Sequence, residues 1–277
     1  MSDQNEAPQT LEGWYVLHDR YRIDWRRWAG EAFEQAAMVA ELAAALQQVS
    51  TAGAGRGDSA AFAVVGQKAD LLFVHFRSML DELKQVELAL RRLRISECLE
   101  PCGSYLSVVE VSLGEVSAIA AKKVADQGIP QGSVRWQDAF DRELAVQTQR
   151  LEPRLRPVMP AARYCSFYPM SKRRGEQANW YTLPIEERRA MMRGHGRIGH
   201  KFHQQVTQVI SGSMGFDDWE WAVTLFAQDP LVFKKLIYEM RFDPVSAVYG
   251  EFGSFVVGVR LQPADLAGYF AGNMPAL

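Results

Sequence analysis

The sequence predicts an α+β fold made of two halves, each an antiparallel sheet with helices on one face. The main observation is that strand, helix and strand follow one another twice, with similar lengths and unrelated letters. In addition, 48% of the 277 residues are hydrophobic and 23% are charged, as in a globular chain with a sizeable core. Two such halves can pack sheet to sheet and form a barrel-like core.

The first half is predicted from alternating and three-to-four spacings. Strands are expected where apolar or aromatic residues alternate or cluster, at 13–25, 71–76 and 104–112. An alanine-rich helix is expected over 29–48, and the glycine-rich segment 51–60 is expected to be a flexible loop. Ser78 is expected to cap a second helix. The buried face of that helix is indicated by Leu80, Leu83, Val86, Leu90 and Leu93.

The second half repeats this order. The segment 164–174 is expected to run from a strand into a basic turn, and further strands are expected at 219–227 and 253–261. Asp229-Pro230 should begin a helix, and Pro244 should prevent its continuation. The apolar face of that helix comprises Val232, Phe233, Leu236, Ile237 and Met240.

A polar segment separates the two halves. Residues 114–150 include "DQGIPQGS" and are expected to be a connector or a mobile loop. The predicted organisation is therefore an N-terminal half (1–113), a connector (114–150) and a C-terminal half (151–277).

Composition excludes several classes of function. A net charge of −2 and a pI of about 6.2 predict no nucleic-acid partner. No apolar run reaches the roughly 18 residues of a membrane span, and the polar start "MSDQNEAPQT" lacks the features of a signal peptide. We therefore expect a cytoplasmic protein in which Cys98, Cys102 and Cys165 are free thiols.

Three of the five histidines fall within "MMRGHGRIGHKFHQQVTQVI". The gaps between His195, His200 and His203 are five and three residues, and no Cys, Asp or Glu follows within 196–210 to complete a site. Because a zinc site on a helix needs ligands three or four residues apart plus further donors, we do not expect a closed zinc site.

His195 is set apart by its neighbours. It lies between Gly194 and Gly196, and glycine in a helix interior costs about 1 kcal/mol relative to alanine. Two interpretations remain open from these residues. Either a bulky group approaches the backbone here, or the segment is a helix boundary with ordinary surface histidines.

Tyr168, Met170 and Lys172 occupy alternate positions of "YCSFYPMSKRR". In an extended chain their side chains leave the same face. A phenol, a thioether and an ammonium suit a flat apolar ligand edged with carboxylates. The alternative is an ordinary strand end with Tyr168 in the core and Lys172, Arg173 and Arg174 in solvent.

Several longer strings in one order carry a resemblance. They are "GWYVLHDRYRIDW", "FYPMSKRR", "NWYTLP", "MMRGHGRIGHKF", "ISGSMGFDDWEWAVTLFAQDP", "FKKLIYEMRFD" and "SAVYGEFGSFVVG". The sequence resembles the peroxide-dependent coproheme decarboxylases of the chlorite dismutase superfamily, in the type found in Gram-positive bacteria. The resemblance spans most of 13–261 and is weakest over 30–62 and 114–150.

The resemblance implies a fold and a reaction. The fold would be two ferredoxin-like halves forming a dimeric α+β barrel within one chain. The reaction would be the hydrogen-peroxide-dependent oxidative decarboxylation of iron coproporphyrin III (coproheme). Two propionates would become vinyl groups through a three-propionate intermediate, and the product would be protohaem (haem b).

The resemblance also implies a role for individual residues. His195 would be the single axial ligand of the iron, Tyr168 the residue oxidised to a radical, and Lys172 the partner of a propionate. The substrate-binding set would be Arg154, Tyr168, Pro169, Met170, Ser171, Lys172, Gln208 and Ser246.

Gln208 distinguishes branches of the superfamily. Chlorite-degrading members have an arginine at this position, and a neutral amide offers no charge to an oxyanion. In a straight helix, His195 and Gln208 would be about 20 Å apart. If both face one iron, the helix must end or bend between them, near Ile210 or earlier.

Two other functions remain open: a non-catalytic haem-binding or haem-transfer protein, and a chlorite dismutase. The resemblance also implies a ring of five subunits and a transient contact with a ferrochelatase. His200 and His203 are expected on a helix surface or at a subunit contact. Arg241 and Asp243 are expected to fix a turn or an ion pair. The basic residues expected in solvent or at an interface are Arg188, Arg189, Arg193 and Arg197.

Overall fold

The computed structural model describes residues 9–50 and 57–275, and in these segments the strands form one antiparallel sheet that closes on itself. The strands are β1 (Thr10–Ile23), β2 (Gly57–Val64), β3 (Leu71–Arg77), β4 (Leu99–Ser112), β5 (Tyr164–Lys172), β6 (Val206–Gly212), β7 (Trp221–Ala227), β8 (Gly250–Phe252) and β9 (Val256–Leu261). The helices are α1 (Trp25–Gly30), α2 (Gln35–Ser50), α3 (Leu80–Arg91), α4 (Leu113–Asp126), α5 (Val134–Arg150), α6 (Glu152–Leu155), α7 (Ile185–Lys201), α8 (Leu231–Met240), α9 (Pro244–Tyr249) and α10 (Leu266–Phe270).

Both halves have the same strand order. The first half runs β4-β1-β3-β2 and the second runs β6-β7-β5-β9, which is the ferredoxin-like order in each case. The halves join where β4 pairs with β6 and β2 pairs with β9, so eight strands make a closed ring, and β8 lies beside β5. The predicted α+β fold is confirmed. The halves join edge to edge rather than sheet on sheet, because closure leaves no unpaired strand edge.

Side chains alternate between the barrel interior and an outer layer of helices. In β5, Cys165 and Phe167 belong to the interior cluster, whereas Tyr168 belongs to the cluster packed under helices. The interior also holds His18, whose Nε2 lies 2.8 Å from the hydroxyl of Thr224. Burial lowers the pKa of His18 to about 3, so this histidine is a neutral core residue.

The outer face of the first half is covered by α2 and α3. Leu42 and Leu46 of α2 and Val86 and Leu90 of α3 are buried in one cluster with Phe73 of the sheet. Burying one such side chain contributes about 1.5–3 kcal/mol. This face of the barrel is therefore covered by hydrophobic packing, with a cavity left beside Leu42, Phe73 and Leu90.

Two predictions for the first half are wrong at their boundaries. The helix expected over 29–48 is broken into α1 and α2. The loop expected over 51–60 already belongs to β2 from Gly57 onward, and 51–56 lie outside the described residues. Gly57 has φ +96, and a Cβ there would overlap the carbonyl of Phe76, so this glycine starts a strand rather than marking a flexible segment.

The predicted cap of α3 is also wrong. Met79, not Ser78, precedes the first helical residue and makes no side-chain capping bond. The hydroxyl of Ser78 instead donates to Glu82 Oε2 at 2.7 Å. The helix ends at Arg91, so Leu93 follows it, although Leu83, Val86 and Leu90 do form the buried face.

The segment 114–150 is helical rather than a mobile loop. It forms most of α4 and all of α5, which pack against each other, and Lys123 Nζ of α4 lies 2.7 Å from Glu143 Oε1 of α5. The buried residues of α4 recur at every fourth position, Val116, Ala120 and Val124. The prediction of a loop rested on the turn residues of "DQGIPQGS", which lie between the two helices, and missed this spacing.

The elements predicted for the second half are present, and the structure adds β6, β8 and α9 to them. Asp229 Oδ1 accepts a hydrogen bond from the N–H of Leu231 at 2.9 Å where α8 begins, and α8 ends at Met240. The strand predicted at 253–261 starts at Val256, as β9. Within the described residues, no helix is long and apolar enough to cross a membrane.

Candidate functional site

The candidate site, called the cleft below, is the region between the outer face of β5, β7 and β6 and the helices α7, α8 and α9. Apolar side chains of these elements form a buried cluster there: Tyr168, Phe202, Val206, Val223, Leu225, Ala227, Val232, Phe233 and Leu236. The alternation of β5 places Tyr168, Met170 and Lys172 on this face, as predicted.

Tyr168 lies deep in the cleft. Its side chain is packed, with only 5% of the residue exposed, and its ring stacks on Phe255 at a centroid distance of 4.2 Å. Phe252 lies on another side at 6.0 Å, and the guanidinium of Arg241 covers the Phe252 ring at 3.7 Å. Burial raises the pKa of Tyr168 above its ordinary value, and the charge of Arg241 opposes this. The phenol is therefore protonated at neutral pH.

Lys172 is buried, so the alternative of a solvated strand end is wrong for this residue. It is 7% exposed, and its Nζ lies 5.0 Å from the ring centroid of Trp180, within the range of a cation–π contact. Burial lowers the pKa of Lys172 to about 8, against the opposing charges of Asp243 and Glu220. Arg173 and Arg174 are exposed, as that alternative predicted for them.

His195 lies inside α7, paired with a carboxylate. Its Nδ1 is 2.8 Å from Oδ2 of Asp243, whose side chain is 3% exposed, while the imidazole is 27% exposed. Burial lowers the pKa of His195, with Asp243 acting in the opposite direction and the charge of Lys172 adding to the decrease. A neutral imidazole that donates from Nδ1 to a carboxylate presents the lone pair of Nε2.

Asp243 has a second role at the start of α9. It is the N-cap of that helix, and Oδ2 also accepts from the N–H of Ser246 at 3.3 Å. The prediction that Asp243 fixes a turn is confirmed, and its contact with the imidazole of His195 is a hydrogen bond. Because Asp243 acts on the pKa of both His195 and Lys172, it links the two predicted residues.

The helix that carries His195 ends before Gln208, as the geometry required. Helix α7 ends at Lys201 and β6 begins at Val206, and Gln208 Nε2 donates to the carbonyl of Gly199 at 3.3 Å. The end of α7 and the start of β6 therefore meet at the cleft.

The glycines around His195 do not mark a helix boundary. Gly194 and Gly196 both lie within α7. Around Gly196, no atom of the described residues lies within 4 Å of the place a Cβ would occupy. Gly196 is exposed, so the interpretation that a bulky group approaches the backbone here stays a prediction.

The other predicted substrate-binding residues are placed differently. Ser246 is buried on α9 beside Asp243. Met170 faces the cleft, and the alternation of β5 turns Pro169 and Ser171 away from it. The Ser171 hydroxyl accepts from the N–H of Glu220 at 3.2 Å.

Arg154 is not brought into the cleft. It is exposed on α6, and the neighbouring Leu155 lies against Gly13 of β1, a strand that does not pair with β5. Within the described residues, no hydrogen bond or ion pair connects Arg154 to Tyr168 or Lys172. Its role as a propionate anchor stays a prediction.

The remaining histidines and arginines are not part of the cleft chemistry. The rings of His200 and His203 stack on each other at 4.4 Å, and the described residues contain no cluster of three or more metal-binding side chains. Arg188 is 7% exposed, so it is not a solvated charge, and its place at an interface stays a prediction.

Sequence reasoning missed four residues of the site. Trp180 and Glu220 surround Lys172, Asp243 holds His195, and Trp221 lies beside Met170 in the β5–β7 register. A signal existed for Asp243, since aspartate before proline is a common helix start. None existed for Glu220 and Trp221, because their neighbours Lys172 and Met170 lie about 50 positions away in the chain, and Trp180 is brought to Lys172 by the turn that follows β5.

The fold and the site define a class: duplicated ferredoxin-like barrels with one external cleft and a histidine–carboxylate pair. Within this class, the chain belongs to the chlorite dismutase family, whose model matches residues 35–261.

Relatives support this membership. The chain is 46% identical over 270 residues to a protein of Halobacterium salinarum whose name proposes haem binding, and 43% identical over 271 residues to a similarly named protein of Haloquadratum walsbyi. Each match covers 97% of this chain but only 51% and 48% of the respective relatives. The chain thus spans about half the length of these curated relatives.

Solved structures agree with the fold. A haem-binding protein from Thermus thermophilus is 40% identical, with a TM-score of 0.79, covering 96% of this chain and 98% of that one. A variant chlorite dismutase from Candidatus Nitrospira defluvii is 17% identical, with a TM-score of 0.68 and coverages of 94% and 96%. At that identity, the second likeness concerns the fold alone.

Proposed function

We propose that the cleft binds iron coproporphyrin III through Nε2 of His195 and decarboxylates two of its propionates with hydrogen peroxide. The observation that supports the proposal is that buried Asp243 pairs with His195 and also acts on buried Lys172, which shares one face of β5 with the buried phenol of Tyr168. His195 fits an axial iron ligand because Asp243 occupies Nδ1, which leaves Nε2 as the nitrogen for a metal, and the side chain is 27% exposed. The haem-binding names of the relatives at 40–46% identity support a porphyrin ligand.

Bound ferric coproheme would supply the oxidising equivalents when it meets hydrogen peroxide. For each propionate the balance is one side chain –CH₂CH₂COO⁻, one proton and one H₂O₂ converted to –CH=CH₂, CO₂ and two H₂O. The proposal requires a side chain that accepts a hydrogen atom from the propionate and one that manages the carboxylate and the proton.

Tyr168 is suited to the first task. Burial keeps its phenol protonated, and the stacked Phe255 and the nearby Phe252 hold the ring in place. A phenol that has lost its hydrogen atom can take one from the β-carbon of a propionate and be restored. Its position between aromatic rings limits access of water to this step.

Lys172 is suited to the second task. An ammonium at a carboxylate edge both orients and neutralises it. With a pKa of about 8, it can also deliver a proton near neutral pH. Trp180 lies against the ammonium, and the charge of Asp243 favours its protonated form.

The experiment is to add ferric coproporphyrin III and hydrogen peroxide to the parent protein and to Tyr168→Phe, and to weigh the porphyrin products. The parent should give the three-propionate intermediate and then haem b. The variant should bind coproheme within about twofold of the parent affinity and give neither product. Full activity of Tyr168→Phe would refute the role of the phenol.

A haem-binding or haem-transfer protein is the second candidate, favoured by the names of the relatives. It predicts tight binding of haem b and no loss of carboxyl groups in the parent protein. Chlorite dismutation is disfavoured by the neutral amide of Gln208. The proposal also includes a cytoplasmic homopentamer that receives coproheme from a ferrochelatase.

A further inference from the structure

Glu110 of β4 reaches into the cleft from the other half of the chain. Its Oε1 accepts a hydrogen bond from Nε1 of Trp221 at 2.8 Å. Trp221 lies in β7 opposite Met170 of β5 on one side and opposite Gly212 of β6 on the other. The indole therefore lies in the cross-strand row that includes the predicted ligand-facing Met170.

The carboxylate can reach the indole only because the intervening residue has no side chain. A Cβ on Gly212 would overlap Oε2 of Glu110 and lie 2.8 Å from its Cδ. The three nearest atoms to such a Cβ all belong to Glu110. The absence of a side chain at position 212 thus leaves the space that the carboxylate of Glu110 occupies.

The fold does not explain why an acid is placed here. Glu12 lies opposite Glu110 in the β1–β4 register, so two like charges face each other across the strands. Burial raises the pKa of Glu110, Glu12 raises it further, and only the bond from Trp221 opposes both. Glu110 is thus placed here despite its burial and the facing charge of Glu12, and its hydrogen-bond donor is the indole N–H of Trp221. We take this to indicate that the carboxylate serves to orient the indole.

We propose that Glu110 is a positioning residue that fixes the indole of Trp221 across Gly212 as a flat wall of the cleft beside Met170. The identity of the flat ligand rests on the proposed function. The orientation of the indole does not, and the two can be tested apart.

The first test uses protein without ligand. In a sample with ¹⁵N-labelled tryptophan, the Nε1–H signal of Trp221 is identified by its loss in Trp221→Phe. Its exchange with solvent should be about tenfold faster in Glu110→Ala, and near the parent rate in Glu110→Gln, which keeps an acceptor oxygen. Glu100→Ala, an exposed residue of the same strand, should leave the rate unchanged.

The second test is a double-mutant cycle. Gly212→Ala should mimic Glu110→Ala, since the new methyl group displaces the carboxylate. In the Glu110→Ala background, Gly212→Ala should add less than twofold. Additive effects of the two changes, or unchanged exchange in Glu110→Ala, would overturn the inference. If Glu110→Ala does not fold, Glu110→Gln compared with Gly212→Ala gives the same decision.

The third test measures ligand binding with ferric coproporphyrin III. Its affinity should fall about tenfold in Glu110→Ala and in Gly212→Ala, and by less than twofold in Glu110→Gln and Glu100→Ala. If the parent protein does not bind coproporphyrin, the proposed function fails while the exchange test still decides the role of Glu110. If exchange changes but affinity does not, the positioning role in ligand binding is refuted.

Discussion

Lys172→Met should make the ligand-free protein more stable, because the fold buries this ammonium at a cost. The pKa of Lys172 falls from 10.5 to about 8. Each pKa unit corresponds to about 1.4 kcal/mol, so the cost of the charged form is about 3 kcal/mol. The variant loses the contact with Trp180, worth about 0.5–1 kcal/mol. The net gain in unfolding free energy at pH 7 should be about 2–3 kcal/mol.

The stability difference between the parent protein and Lys172→Met should depend on pH. Since the folded-state pKa lies below the unfolded one, the folded state binds fewer protons between pH 8 and 10.5. The parent protein therefore gains stability as pH rises through this window, and its difference from Lys172→Met shrinks towards zero. Below pH 8 the difference should be constant.

Urea denaturation at pH 7, 8, 9 and 10 measures the effect. Lys234→Met, an exposed lysine of α8, serves as the matched control and should change stability by less than about 0.5 kcal/mol. A variant that is less stable than the parent at pH 7, or a difference independent of pH, would refute the burial argument. Lys172→Met should also bind ferric coproporphyrin III more weakly, because in the proposed function the buried ammonium contacts a carboxylate of the ligand.

Three further predictions concern single residues. Burial raises the pKa of Asp19 from 3.8 to about 7. The free energy of unfolding should therefore fall by up to about 4 kcal/mol as pH rises from 4 to 7. Asp19→Asn should remove this pH dependence, as measured by urea denaturation at pH 4 and pH 7. Asp243→Ala should weaken binding of ferric coproporphyrin III roughly tenfold or more, as measured by Soret titration. It should also cost about 1 kcal/mol of stability through the lost N-cap, as measured by thermal denaturation. Unchanged binding would contradict the pairing with His195. Gln208→Arg should raise oxygen release from chlorite at least about tenfold over the parent, and equal rates would show that charge at this position is not decisive.

The sequence predicted β5, β7, α8 and β9 because their signals are local, whereas β6, β8 and α9 were not predicted. The alternation of 164–172 and the Asp229-Pro230 start depend on neighbouring residues alone. Joining of the halves through β4–β6 and β2–β9 was not predictable in detail, since strand pairing over such separations leaves no local pattern.

The same distinction applies to the site. Tyr168, Lys172 and His195 were found through alternation, glycine neighbours and family resemblance. Asp243 and Trp221 were missed as site residues because their partners are 48 and 111 positions away in the chain. The role of Arg154 rests on the family resemblance alone and stays a prediction.

The first half shows how a duplicated fold can diverge. Asp19 lies opposite the third residue of β3, as Tyr168 lies opposite the third residue of β7. The helices α2 and α3 cover this face of the first half with leucine and valine, whereas the helix layer of the second half contains His195, whose side chain is 27% exposed, paired with Asp243. The two halves therefore share a strand order and differ in the residues that their helices place over the sheet.

The most direct measurement is a crystal structure of the protein with ferric coproporphyrin III. The account predicts iron bound to Nε2 of His195, with one propionate at the Tyr168 hydroxyl and a carboxylate at Lys172. Iron held by another residue, or a porphyrin whose propionates all point away from Tyr168, would contradict it.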